Sequence, residues 1–289
     1  MKIFFNKLFK FIKILVLIII IALVLKAFLF DAFKIPSSSM ENTLLSGDFI
    51  LVNKFVYNLT TPREIPIVNF PIPHSNLFEI SKPGINDLVV FEFPSGFESD
   101  SLRNGSKYIK RIVAGPHDTL QIINKEFFVN GKKHELSASV KMSKENLRAG
   151  GVTENNIYPP GVKWNRDNYG PIVIPAKGDT IKIIPENFER WQSVIVMDFG
   201  LRSLIPEGTI VTLNGKIISD YVLTQDHYFV IGDNVDSSMD SRHFGFITDN
   251  MIIGKAMFIY WSFDPEKVAP GPLGFLSAIR ASRIFSGLK

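Results

Sequence analysis

Hydrophobic positions along the chain fall into two regimes. From Phe11 to Phe30 they form one apolar stretch broken only by Lys13 and Lys26, with an uninterrupted apolar centre from Ile14 to Leu25. A helix of about 20 residues rises about 30 Å, the thickness of a bilayer core, and lysines near its ends can lead their ammonium groups to the interface. The pattern predicts one transmembrane helix over 11–30. Lys2, Lys7, Lys10 and Lys13 precede its centre, whereas only Lys26, Asp31 and Lys34 follow closely. The positive-inside rule therefore places residues 1–10 in the cytoplasm and the rest of the chain on the other side. A cleaved signal peptide fits less well, because Lys26-Ala27-Phe28-Leu29-Phe30-Asp31 offers bulky residues where cleavage needs small ones.

After Phe33 the apolar residues regroup into short β-prone runs bounded by Gly, Pro, Asn and Asp: Phe49–Val52, Leu88–Phe93, Tyr108–Val113, Thr119–Ile123, Tyr228–Ile231 and Lys255–Trp261. That spacing predicts an antiparallel β domain. Asn130-Gly131 and Asn214-Gly215 sit between such runs and predict tight hairpin turns. One helix is expected over Glu186–Asp198, stopped by Gly200, and Pro62–Ser81 and Ser137–Pro160 read as loops or small excursions.

Composition narrows the chemistry. Of 289 residues 46% are hydrophobic, enough for a sizeable core. The net charge of +4 is spread without dense Lys/Arg clusters, so no nucleic-acid partner is expected. The chain has no cysteine, which removes thiol nucleophiles and thiolate metal sites. His74, His117, His134, His227 and His243 show no H-x-x-x-H spacing, so neither a zinc site nor a Ser-His-Asp triad has local support. No metal and no cofactor is expected.

Three segments could carry chemistry. Ser37-Ser38-Ser39 follows Pro36 just beyond the membrane exit; by itself a serine run is an ordinary polar connector. Lys110 lies within Tyr108-Ile109-Lys110-Arg111-Ile112-Val113, where strand alternation puts Tyr108, Lys110 and Ile112 on one face and Ile109, Arg111 and Val113 on the other. Strand lysines are usually exposed, but a buried one has a lowered pKa and can take a proton from a serine hydroxyl. The third segment is the polar loop Gly232 to Arg242. Its alternating Asp residues invite a calcium reading, yet it lacks the central Gly and terminal Glu of an EF-hand. An Asx-turn loop with an Asp240–Arg242 ion pair is the simpler account.

Together these segments resemble the type I signal peptidases, the Ser/Lys serine proteases that remove signal peptides in bacteria. The resemblance is carried by four blocks in order: Ile35-Pro36-Ser37-Ser38-Ser39-Met40 with Thr43-Leu44 and Gly47-Asp48; Asp87 to Phe91; Tyr108 to Arg111 with Pro116 and Asp118; and Gly232-Asp233-Asn234 with Asp236, Ser238, Asp240-Ser241-Arg242 and Gly245-Phe246. It implies Ser39 as nucleophile, Lys110 as general base, and the Ser37 hydroxyl with the Ser39 backbone N–H as oxyanion hole. It further implies that Ser238 positions the lysine, that Asp240 and Arg242 support the loop, and that Phe33, Ile35, Pro36, Met40, Leu44, Tyr108 and Ile109 line shallow substrate pockets. The implied substrates are signal peptides cut after a small-x-small site at the bacterial inner membrane, with the lipid bilayer and the secretion translocon as further partners. Asn42, Ser38, Val235 and His117 depart from the family pattern, which usually has proline, glycine, arginine and glycine there.

The expected fold is mainly β: an antiparallel β-sheet catalytic domain (31–118 and 227–275) with an inserted mixed β subdomain (119–226), one N-terminal transmembrane helix and a C-terminal tail (276–289). An apolar rim beside the nucleophile is expected from Phe33, Ile35, Met40, Phe91–Phe97 and Phe258–Phe263. Two other readings stay open on residues alone: a Ser/Lys peptidase with a narrower client, and a membrane-tethered β domain that binds without catalysis.

Overall fold

The computed structural model describes residues 2–288 except 66–69, 74, 94–105, 144, 146, 200–203, 208–209, 214 and 272. The expected helix stop at Gly200, the Asn214 half of the second Asn-Gly turn, His74 and the Phe97 end of the expected rim lie outside the described residues. Helix α1 runs over Lys2–Phe28, and its Phe4–Phe28 portion has a mean hydropathy of 3.0 and is unburied. Among the described residues none buries this apolar window, and the helix is long and apolar enough to cross a membrane.

The chain then enters an eight-stranded antiparallel sheet built from β1 (Phe30–Lys34), β2 (Asp48–Asn53), β3 (Leu88–Glu92), β4 (Lys107–Ala114), β9 (His227–Ile231), β10 (Ile247–Thr248), β11 (Ile252–Ser262) and β12 (Ser286–Gly287). Its order is β1-β2-β11-β3-β4-β9-β10, with β12 alongside β11. The sequence alternation marks most of these strands; β1 lies outside the expected runs. Strand β4 is interior, with Val89 opposite Lys110 on one side and Ile231 opposite Arg111 on the other. Its residues from Lys110 to Ala114 are buried, so a polar group there needs a partner from another element.

Between β4 and β9 the insertion forms a four-stranded sheet from β5 (Thr119–Ile123), β6 (Glu126–Val129), β7 (Lys132–Lys133) and β8 (Tyr169–Val173). Asn130 and Gly131 have φ of 53° and 74° and form the expected tight turn between β6 and β7. Both values are positive, as a type I′ turn requires. Helix α2 (Phe188–Phe199) follows a single 3₁₀ turn, close to the expected span. The Pro-rich excursion carries two small hairpins, Asn58–Thr60 with Asn76–Glu79 and Glu64–Ile65 with Phe70–Pro71.

Apolar packing joins the insertion to the main sheet. Leu120, Phe127 and Tyr169 share one buried cluster with Val113, Phe229 and Ile231. A second cluster lies beneath Ser39 and unites Ile35, Met40 and Leu44 with Ile50, Leu88, Val90 and Ile259. The segment expected as a tail is part of the fold, because β12 pairs with β11 and Leu288 packs on that second cluster.

Candidate active site

Residues 35–48 form a closed loop between β1 and β2. Ile35 N donates to Asp48 O at 2.8 Å and Gly47 N to Ile35 O at 3.0 Å, which seals its neck. Met40 and Leu44, fully buried, plug its interior, while Pro36, Ser37 and Ser38 remain exposed and Ser39 half-buried. The loop thus holds one polar edge outward on an apolar base.

From β4, Lys110 reaches this edge. Its Nζ lies 2.7 Å from Ser39 Oγ, and the residue is only 3% exposed. Burial pushes its pKa down from the ordinary 10.5 to about 8, against the pull of the Asp240 and Asp233 carboxylates. Ser37 Oγ lies 3.4 Å from Ser39 Oγ. The cluster is a hydroxyl, an amine close to neutrality and a second hydroxyl.

The loop after β9 braces both partners from below. Asn234 N donates to Ser39 O at 3.1 Å, Asn234 Nδ2 to Ser38 O at 3.1 Å, and Asp233 N to the Met40 sulfur at 3.3 Å. Its acids diverge to separate cations, which answers the calcium reading. Asp233 takes a two-pronged pair from fully buried Arg111 at 2.8 and 2.6 Å, and also accepts from Thr43 Oγ1. Asp236 accepts from Lys125, and Asp240 from Arg242 at 2.9 and 2.8 Å. Burial alone would raise the Asp240 carboxyl, but the Arg242 guanidinium holds it well below the carboxylate range. Arg242 Nη2 further donates to Val235 O at 2.6 Å, so the pair staples the loop to itself.

Ser238 is buried, and among the described residues its hydroxyl makes no hydrogen bond, to the Lys110 amine or otherwise. It packs beside Gly232. The residues expected at the substrate surface differ in exposure. Ile35, Met40 and Leu44 are buried, forming the apolar floor of the loop that carries Ser39. Phe33, Tyr108 and Ile109 are partly exposed and Pro36 is exposed. Phe91 and Phe93, expected in an apolar rim, are core residues whose rings pack with Tyr108 and Phe244.

The departures from the family pattern have local reasons. Asn42 has φ of 82°, a conformation closed to the proline usual there, and His117 has φ of 65° where glycine is usual. Val235, in place of arginine, is buried in the core shared with the insertion. Sequence reasoning missed Lys125, a turn residue with φ of 66° whose buried amine holds Asp236 and the Ser143 carbonyl. It also missed the bond from Thr43 to Asp233. Neither carries a periodic signal, since both lie in turns.

A serine hydroxyl within hydrogen-bond reach of a buried lysine amine is an arrangement that can activate the serine for acyl transfer, the chemistry of a serine hydrolase. The family model described as "Signal peptidase, peptidase S26" matches residues 8–261. The chain belongs to this family, the type I signal peptidases, and is a serine endopeptidase. It is similar to the signal peptidase I of Buchnera aphidicola (28% identical, covering 86% of this chain and 73% of the relative) and to that of Pseudomonas aeruginosa (29% identical, 88% and 73%). A crystal structure of a signal peptidase I from Enterococcus faecalis matches at 21% identity, covering 61% of this chain and 97% of that one, with a TM-score of 0.29.

Proposed function

We propose that the protein is a membrane-bound endopeptidase that removes N-terminal signal peptides from exported pre-proteins, cutting after a small-x-small site such as Ala-x-Ala. The observation that carries this reading is the 2.7 Å approach of Ser39 Oγ to the buried Lys110 amine. Ser39 attacks the scissile carbonyl while the neutral amine takes its proton. The developing oxyanion is held by the Ser39 backbone N–H and the Ser37 hydroxyl. Lys110 then hands the proton to the leaving amine and activates the water that releases the acyl group.

Phe33, Pro36, Tyr108 and Ile109 offer shallow apolar walls on either side of the dyad, which favour small side chains before the cut. Helix α1 anchors the enzyme in the bacterial inner membrane with residues 1–10 cytoplasmic and the β domain extracytoplasmic, a reading supported by the lysine excess before the apolar centre. Substrates reach this side with their own apolar segment still in the bilayer, delivered by the secretion translocon. The test is to incubate the purified chain with a pre-protein and identify the cleaved bond by mass spectrometry. A single cut after the small-x-small site, absent with Ser39→Ala, is expected. Cleavage elsewhere, or by the Ser39→Ala protein, rejects the reading.

A further inference from the structure

The dyad joins two pieces of chain that have no covalent reason to stay in register. Lys110 is fixed by an interior strand, but Ser39 rides on a loop, and the segment 43–48 that returns the loop to β2 sets where it sits. Thr43 is the fixed point of that segment. Its side chain bonds Asp233, the partner of Arg111 next to Lys110 on β4. Its backbone N–H closes the serine turn on Met40 O at 3.1 Å. Its carbonyl accepts from Arg283 Nη2 at 2.9 Å.

Arg283 comes from the segment that looked like a tail. The same guanidinium bonds the fully buried Asp48 carboxylate, at 2.6 Å from Nη2 and 3.2 Å from Nε. Asp48 also accepts from Leu45 N at 2.8 Å and from Ser262 Oγ at 2.6 Å. Arg280 Nη1 adds a bond to Ser46 O at 3.0 Å. Arg283 is itself tied down, because Ser286 Oγ donates to its carbonyl at 2.6 Å and β12, starting three residues later, pairs with β11. Thr43 is therefore clamped between two ion pairs, Asp233–Arg111 through its side chain and Asp48–Arg283 through its backbone.

We propose that Arg283 is a positioning residue for the Ser39 turn, setting the nucleophile against Lys110 through its bonds to Thr43 and Asp48. The proposal rests on Ser39 being the nucleophile. A planar guanidinium can span a carboxylate and a carbonyl at once, which an ammonium point charge does less well. Removing it frees the Thr43 carbonyl and leaves a buried carboxylate with fewer donors. Displacement of a reacting group by about 1 Å can cost about 100-fold in rate.

The experiment uses the full-length chain in detergent with a pre-protein substrate. It compares Arg283→Gln, Arg283→Lys, Leu288→Ala, which loosens the same segment without touching Thr43, and Ser39→Ala. Single-turnover rate, KM, the pH midpoint of the rate and the melting temperature are read for each. Arg283→Gln should lower the rate about 100-fold with KM within about twofold and the pH midpoint unmoved, and Arg283→Lys should recover part of the loss. Leu288→Ala should lower the melting temperature while keeping the rate. Should Arg283→Gln fail to fold, Arg283→Lys carries the same readouts with the buried charge retained. An Arg283 variant that keeps the wild-type rate, or one whose loss only parallels the melting temperature as in Leu288→Ala, overturns the positioning role. Turnover by Ser39→Ala would instead overturn the underlying reading of the nucleophile.

Discussion

Gly232 lies against the carbonyl of Ser39 with no room for a side chain between them. A Cβ at Gly232 would sit 2.5 Å from Ser39 O and 2.2 Å from Ser238 Oγ. One of these is backbone that Asn234 N already holds, so it cannot yield without moving the nucleophile. Gly232→Ala should therefore fold, with a loss of about 1–3 kcal/mol from overpacking, and lose most of its activity. A Gly232→Ala protein that cleaves a pre-protein at the wild-type rate would show that the contact does not set the serine.

On the proposed mechanism, substitutions in the dyad should abolish the chemistry while leaving the fold in place. Ser39→Ala removes the nucleophile, Lys110→Met removes the base, and Lys110→Arg leaves a guanidinium that stays protonated at any working pH. All three should lose processing while keeping the wild-type circular dichroism spectrum. Residual turnover in Lys110→Met at more than about 1% of wild type would exclude a lysine base, given that general-base catalysis contributes about 100-fold or more.

The strands were legible because alternation and β-branched residues mark half-buried surfaces, and β2, β3, β4 and β11 lie close to their expected runs. Ser39 and Lys110 were legible only through motif blocks, since neither residue type is unusual in its local context. The pairings behind them were not. Arg111–Asp233 spans 122 residues and Arg283–Asp48 spans 235, and contacts of that separation leave no periodic trace in one sequence. The same limit explains Met40 and Leu44, whose apolar character suits a pocket wall and a loop plug equally, so that only burial tells them apart.

The pKa of Lys110 fixes the direction of the pH dependence. The working base is the neutral amine, so activity should rise as pH increases toward about 8 and level off above it. Below that point the rate should fall about tenfold per pH unit. A profile that stays flat down to pH 5 would contradict a lysine base.

The same burial makes a stability prediction with the opposite beneficiary. A lysine pKa lowered from 10.5 to about 8 costs the fold roughly 3 kcal/mol while the amine is protonated in the unfolded chain. That cost is full below pH 8 and disappears as pH climbs from 8 to above 10.5, where both states are neutral. Lys110→Met should thus be more stable than wild type at pH 7, with the advantage shrinking at pH 10. Denaturant titrations at the two pH values measure it, and a Lys110→Met protein less stable at pH 7 would count against the cost.

The last prediction places the surface that meets lipid. Ile35, Met40, Phe91 and Phe93 of the rim expected from sequence are core, and a group of exposed apolar side chains lies on and beside the two small hairpins after β2: Phe55, Ile65, Phe70, Leu77, Phe78 and Ile80. These hairpins leave the sheet where the membrane helix ends, because Lys54 Nζ, one residue past β2, donates to Lys26 O at 2.8 Å and Ala27 O at 2.7 Å. An exposed apolar group of this size beside a bilayer-spanning helix gains free energy by entering the headgroup region. The absence of cysteine in the chain allows one probe per protein. A fluorophore on Leu77→Cys, in the full-length chain reconstituted into vesicles, should be quenched by interfacial spin-labelled lipids. The same fluorophore on Ile217→Cys, exposed on the insertion, should not. Equal, water-like signals from both positions would remove the hairpins from the interface while leaving the Ser39 and Lys110 geometry intact.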